Sequence, residues 1–182
     1  MKAENENAKA AEKGPQTITG GYLLEFDARY EKEPTWFKTN TKNIVVKTPK
    51  QLFDEQYEYI SSYMREVETA IFSDGGINYK TGKAYNEYVD IDSWASMYLM
   101  QDFFVQWDVE FASFYMYKEI DDPKLYSGPV WDFDLAFGTL YHGDYQDVTK
   151  TTKWIEHRGG WLGKLASHEE FQRVVKEKYE TI

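Results

Sequence analysis

The 182-residue chain contains no cysteine. That excludes disulfide cross-links, thiolate metal sites and a thiol nucleophile, and it is compatible with either side of a membrane. Long apolar runs are missing too: none approaches the roughly 18 residues that a membrane-spanning helix needs. The opening residues MKAENENAKAAEKGPQ are polar and hold no secretory hydrophobic region. Positive charge is scarce. Asp plus Glu number 31 against 21 Lys plus Arg, a formal net charge of −10. Nucleic acid is therefore not an expected partner, nor is an anionic membrane, because phosphate contacts need clustered Lys and Arg. His142, His157 and His168 show no metal-ligand spacing, and Ser61, Ser62 and Ser113 have no partner base near in sequence, so a hydrolase triad is not supported. There is no internal repeat.

What the chain does have is aromatic weight. Tyr, Phe and Trp make up 18% of it, with hydrophobic residues at 42% and charged ones at 29%, which suits one globular domain with a real core. Core packing accounts for the aromatics on helix stripes. Trp36, Trp154 and Trp161 lie near Gly or Pro turns and leave a sugar-stacking face open as a reading.

Hydrophobic periodicity orders the chain. Residues 1–16 read as a polar, flexible lead-in ending at Gly14-Pro15, and residues 17–182 as the folded domain. Ile18 to Asp27 follows the strand pattern around Gly20-Gly21, and Asn43–Lys47 carries the β-branched run Ile44, Val45, Val46. Gln51 to Phe72 predicts a helix, because Leu52, Gln56, Ile60, Tyr63, Met64, Val67 and Ile71 recur three and four apart. Tyr79 to Tyr88 reads as a polar connection. A second helix is expected over Ser93 to Gln106, apolar almost all round and so central. Phe114–Tyr117 and Leu125–Phe133 predict a hairpin turned at Asp121-Asp122-Pro123. Residues 139–158 read as a surface loop. Trp161–Ala166 predicts a short helix, and Ser167-His168-Glu169-Glu170 a capping box before the last one.

The chemistry concentrates between Trp107 and Gly138. On an extended strand Asp132 and Asp134 share a face, with Phe133 turned to the core. Two adjacent carboxylates repel, and a hard cation such as Mg²⁺ or Mn²⁺ relieves that cost. Asp108 follows a buried helix and precedes the hairpin, where a carboxylate could take the proton of an attacking hydroxyl. Helix, loop acid, hairpin and metal acid is the order that protein kinases use. Glu25 lies on a strand feeding the interior, and alternation leaves two places for it: a nucleotide cleft or solvent.

The runs Gly20-Gly-Tyr-Leu-Leu-Glu-Phe-Asp27, Tyr88-Val-Asp-Ile-Asp-Ser93, Ser113-Phe-Tyr-Met-Tyr-Lys118 and Gly128-Pro-Val-Trp-Asp-Phe-Asp-Leu-Ala-Phe-Gly138 resemble the CotH kinase family. That family is named for a bacterial spore-coat protein and also occurs in secreted bacterial proteins. The resemblance covers about residues 17 to 180, and its WDFDLAFG stretch is the most specific part. It implies an α+β, divergent protein-kinase-like fold, mostly the helical C-lobe with a few N-lobe or hinge strands. It implies ATP and Mg²⁺ or Mn²⁺ as cofactors, with a serine- or threonine-containing coat or surface protein as substrate. Carried over by motif, Asp108 is the catalytic acid of the loop, Asp132 the metal-binding acid and Asp134 a second acid of the same motif. Ser113 and Glu25 are the cofactor-binding positions. Two departures accompany the match. Ser113 stands where a kinase places the Asn that holds a second metal. No nucleotide-covering loop or phosphate-binding Lys precedes Gly20, since Lys2, Lys9 and Lys13 lie in the lead-in, so the N-terminal strands are expected to be missing and the domain truncated.

Two readings from other classes compete. One is a non-catalytic binding module of a secreted or cell-surface bacterial protein that keeps the fold. The other is a glycosyltransferase holding a sugar-nucleotide metal on two acids one residue apart, and it lacks the alternating parallel β–α pattern.

Overall fold

A computed structural model describes residues 17–106, 108–136 and 160–181. The polar lead-in, Trp107 and the loop expected over 139–158, with Trp154, His142 and His157, lie outside the described residues. Among the described residues the fold is mixed α+β. Its strands are β1 (Tyr22–Phe26), β2 (Trp36–Lys38), β3 (Asn43–Thr48), β4 (Phe114–Lys118) and β5 (Leu125–Ser127). Its helices are α1 (Asp54–Phe72), α2 (Tyr85–Tyr88), α3 (Ile91–Phe103), α4 (Gly160–Leu165) and α5 (Glu169–Tyr179). The sheet is antiparallel, in the order β2-β3-β1-β4-β5.

β1 is central, and its alternation sorts the two faces. Tyr22, Leu24 and Phe26 point with Ile44, Val46, Phe114 and Met116 into one apolar core. Opposite them, α1 contributes Ile60, Met64, Val67 and Ile71, α3 contributes Trp94 and Met97, and α4 and α5 contribute Trp161, Leu162, Leu165 and Phe171. Each such large side chain, fully withdrawn from water, stabilises the fold by roughly 1.5–3 kcal/mol. The aromatics interlock: Phe26 stacks on Phe114 with centroids 5.3 Å apart and meets Trp161 edge-on at 5.2 Å. Trp161 is thus core, not a sugar platform. Trp36 instead sits at the sheet edge, 4.6 Å from the Tyr30 ring.

The other face of β1 is built around Glu25, whose neighbours across the sheet are Val45 and Tyr115. Lys47, two residues past Val45, shares that face.

Most elements stand where periodicity puts them, and the departures have local causes. α3 begins at Ile91 because the Asp90 carboxylate accepts the Ser93 amide at 2.8 Å, so Asp90 is the N-cap. It stops at Phe103, and that ring is 68% exposed, so its last turn leaves the core. The hairpin return ends at Ser127, not Phe133. Gly128 donates a last amide to the Tyr115 carbonyl at 2.9 Å, and Pro129 has no N–H with which to continue. Ser167 does not cap α5 either. Its hydroxyl donates back to the Lys164 carbonyl at 2.6 Å, and His168 occupies the cap. The connection from Tyr79 to Tyr88 contains α2, and β2 is a three-residue edge strand too short to show periodicity.

One buried acid ties α1 to the sheet. Glu68, 1% exposed, accepts from the Thr39 hydroxyl at 2.7 Å, the Asn40 amide at 2.7 Å and the Thr41 amide at 2.9 Å. It thereby satisfies the β2–β3 turn.

Candidate active site

Between α3 and β4 the chain makes a tight turn, closed by the Phe111 amide donating to the Asp108 carbonyl at 2.8 Å. The turn is docked onto the sheet where Ala28 donates to the Phe111 carbonyl at 2.9 Å. Asp108 is half-buried at its start. Two residues on, Glu110 is buried, and its carboxylate accepts the backbone amides of Trp161 at 2.9 Å and Leu162 at 2.6 Å. Those amides open α4, where unsatisfied N–H groups concentrate and a carboxylate is favoured. Lys42 completes the cluster, 2.8 Å from Glu110 Oε2, with a second bond to the Glu110 carbonyl at 2.9 Å.

At the end of the turn Ser113 enters β4. Its amide donates to Glu25 Oε1 at 3.1 Å and its hydroxyl to Asp132 Oδ2 at 2.8 Å. Gln106, nearly buried, donates its side-chain amide to the Asp132 carbonyl oxygen at 2.6 Å. Thus Asp132, Ser113 and Glu25, three of the five residues singled out in the sequence, are brought into one hydrogen-bonded set. Asp134 lies exposed in the turn that follows, where Ala136 donates to the Phe133 carbonyl at 3.2 Å.

The shared strand face expected for Asp132 and Asp134 is absent, because 131–136 is not a strand and Asp132 has φ +61°. Phe133 is half-buried, packing edge-on against Phe104 with centroids 5.5 Å apart. Left-handed backbone is concentrated here. Val105 (φ +49°), Glu110 (+61°), Ser113 (+59°) and Asp132 (+61°) all adopt it, although none is glycine. Such conformations cost about 1–3 kcal/mol each, collect at functional sites, and are most unusual for β-branched Val.

Alternation puts Glu25 on the face opposite the apolar core, yet it is 5% exposed, so that face is covered here and not open to solvent. Its second oxygen lies 3.1 Å from Lys47 Nζ, which also bonds Glu33 at 2.9 Å. Burial alone would lower the Lys47 ammonium, but Glu33 and Glu25 outweigh it and hold the group above its ordinary range. The Tyr115 hydroxyl is pushed up, first by burial and then by the Glu25 charge. Lys47 and Glu33 were not singled out in the sequence. The available signal was an acid and a lysine on paired strands, and it becomes visible only once the register is known.

Among the described residues no group of three or more His, Asp or Glu stands close enough to hold a metal ion. A nucleotide-bound Mg²⁺ does not require one, since it keeps several waters and takes one or two carboxylates plus phosphate oxygens. Asp132 and the Ser113 hydroxyl are hard oxygen donors on an exposed rim, which fits that requirement. Two hollows lie elsewhere among the described residues. One of about 400 Å³ runs between α3 and α5 beside Tyr98, Phe171 and Tyr179, and one of about 300 Å³ lies beside Thr41, Glu68 and Tyr79.

No curated protein matches the chain, and no solved structure does. A family model does, with the description CotH kinase protein, and it matches residues 2–182. That span includes the turn bearing Asp108, the strand bearing Glu25, Ser113 just before β4, and the segment bearing Asp132 and Asp134, and the chain belongs to the CotH kinase family.

Proposed function

We propose that this chain is an atypical protein-kinase domain that transfers the γ-phosphoryl group of ATP to a serine or threonine hydroxyl of a protein substrate. The observation that carries the reading is the Ser113 hydroxyl bonded to Asp132 Oδ2 at 2.8 Å. It joins the end of the loop that bears Asp108 to the WDFD segment, as the order of elements requires. The helices and β4–β5 correspond in this reading to a kinase C-lobe, and the remaining strands to its boundary with the N-lobe.

Asp132 and Ser113 would hold the Mg²⁺ or Mn²⁺ that accompanies ATP, with Asp134 beside them. When bound, such an ion neutralises charge on the phosphate oxygens. Asp108 accepts the proton of the substrate hydroxyl as its oxygen bonds to the γ-phosphorus. The bond from that phosphorus to the β,γ-bridging oxygen breaks, and ADP departs. Glu110 keeps the Asp108 turn in place through α4 and Lys42. In this reading the substrate is a spore-coat or surface protein, in keeping with the family's name.

The test is thermal stability with Mn²⁺ and ATP for the wild type and Asp132→Ala. Ligand at 100 times Kd adds about 2.7 kcal/mol, which for a domain of this size raises Tm by roughly 5–10 °C. The wild type should show that rise and the variant should lose it. Indifference of both proteins to Mn²⁺ itself would reject the cation site on which the kinase reading rests, in favour of a non-catalytic binding module.

A further inference from the structure

Glu25 sits on the central strand, 88 residues before Ser113, yet its carboxylate accepts the Ser113 amide at 3.1 Å. Ser113 adopts φ +59°, a conformation in which a serine is strained unless its surroundings hold it there. In that conformation the hydroxyl reaches Asp132 Oδ2 at 2.8 Å. A carboxylate as buried as Glu25 also needs a counter-charge, and Lys47 supplies it at 3.1 Å. Lys47 is in turn tied to the sheet rim by Glu33 at 2.9 Å. The result is one continuous line: Glu33, Lys47, Glu25, Ser113, Asp132.

We propose that Glu25 and Lys47 are positioning residues for the cation site, and that they act through Ser113 to aim the Asp132 carboxylate. Glu25 itself touches neither nucleotide nor metal. One of its oxygens accepts the Ser113 amide, the other is ion-paired with Lys47 Nζ at 3.1 Å without a hydrogen bond of good geometry, and the side chain is 6% exposed. A direct cofactor contact would need that carboxylate turned out of the sheet, which would break the ion pair with Lys47, leaving that lysine to Glu33 alone, and release Ser113. The inference rests on the reading of Asp132 as a metal-binding acid. It adds that the acid's aim is set from the opposite end of a hydrogen-bonded line by a pair on β1 and β3.

Two readouts separate this role from a merely structural one. The first is hydrogen exchange at the Ser113 amide by NMR, without metal. The second is Mn²⁺ affinity in the presence of ADP, from the paramagnetic resonance signal of free Mn²⁺. Glu25→Ala should lose the Ser113 protection and weaken Mn²⁺ binding by about 10- to 100-fold, the range for groups that orient a metal ligand. Glu25→Gln keeps an oxygen for the Ser113 amide but not the charge that Lys47 needs. It should retain much of the protection and fall between the two in affinity. Lys47→Met, at a partly exposed position, should weaken Mn²⁺ binding with its near-ultraviolet circular dichroism unchanged. It serves where Glu25→Ala does not fold. Asp132→Asn calibrates the site. If Asp132→Asn loses the ion while the folded Glu25 and Lys47 variants bind it as the wild type does, the positioning role is overturned and the kinase reading stands. If the wild type binds no better than Asp132→Asn, the metal site itself is wrong and the inference falls with it.

Discussion

Glu110 Oε2 lies 2.9 Å from the backbone amide of Trp161, 51 positions further along the chain. The contact joins the turn that carries Asp108 to the first residues of α4. The same oxygen is 2.8 Å from Lys42 Nζ, and both side chains are largely buried. Removal of the acid leaves a buried ammonium without its counter-charge and two helix-opening amides without an acceptor.

Glu110→Ala is therefore expected to cost about 3–5 kcal/mol, the range for breaking a buried ion pair from one side. Lys42→Met should cost less, about 1–3 kcal/mol, because the carboxylate keeps the Trp161 and Leu162 amides. Urea denaturation measures both as shifts in midpoint at unchanged slope. An equal effect of the two substitutions would contradict this account.

Two glycines with the same backbone angle separate strain from space. Gly82 and Gly160 both have φ +75°, but a Cβ on Gly82 would meet nothing within 4 Å, whereas one on Gly160 would lie 2.2 Å from Glu110 Oε2. The Glu110 carboxylate cannot swing aside while both its oxygens are held. Gly82→Ala is expected to cost about 1–2 kcal/mol, from the left-handed angle alone. Gly160→Ala adds overpacking of about 1–3 kcal/mol. Thermal melts of the two proteins should thus rank Gly160→Ala well below Gly82→Ala.

Alkaline pH should unfold the protein through its tyrosines. Burial, with the Tyr59 hydroxyl adding to it, raises Tyr22 from 10.0 to about 12. Burial, with Glu170 adding to it, raises Tyr85 likewise to about 12. Tyr63 is pushed up further, chiefly by burial, while its one hydroxyl proton is shared between the Tyr88 carbonyl at 2.9 Å and the Pro123 carbonyl at 2.8 Å. These are acids whose folded pKa exceeds the unfolded value. Between 10 and 12 the native state holds protons that the unfolded state has lost, so their stabilisation is complete below pH 10 and falls as pH rises through that window. Lys118 works in the opposite sense, since burial lowers its ammonium, but it is one group against three. Stability measured against pH should decline above 10, with the tyrosinate absorbance of these rings developing together with unfolding. A flat profile to pH 12 would refute it.

Legibility varied with the range of the interaction. The stripe of α1 and the β-branched run of β3 were readable because both periods are local. The end of β5 was not, because Leu125 to Phe133 has strand composition while Pro129 removes the donor that a ladder needs. The first turn of α3 was not legible either: the pattern starts the helix at Ser93, whereas the Asp90 carboxylate, by accepting the Ser93 amide at 2.8 Å, starts it at Ile91. Ser167 shows the same limit, since a capping pattern says nothing about where a rotatable hydroxyl turns.

From residue order alone came the α+β class, the net acidic charge, the absence of thiol chemistry and the candidate acids Asp108, Asp132 and Asp134, since composition and short motifs are properties of the chain itself. Tertiary structure decided that Glu25 is buried, that Lys47 and Glu33 hold it, and that Ser113 reaches Asp132. Those contacts depend on the register of three strands and on left-handed angles at Ser113 and Asp132. Neither is set by neighbours in sequence. Both follow only when a buried charge has to find its partners across the sheet.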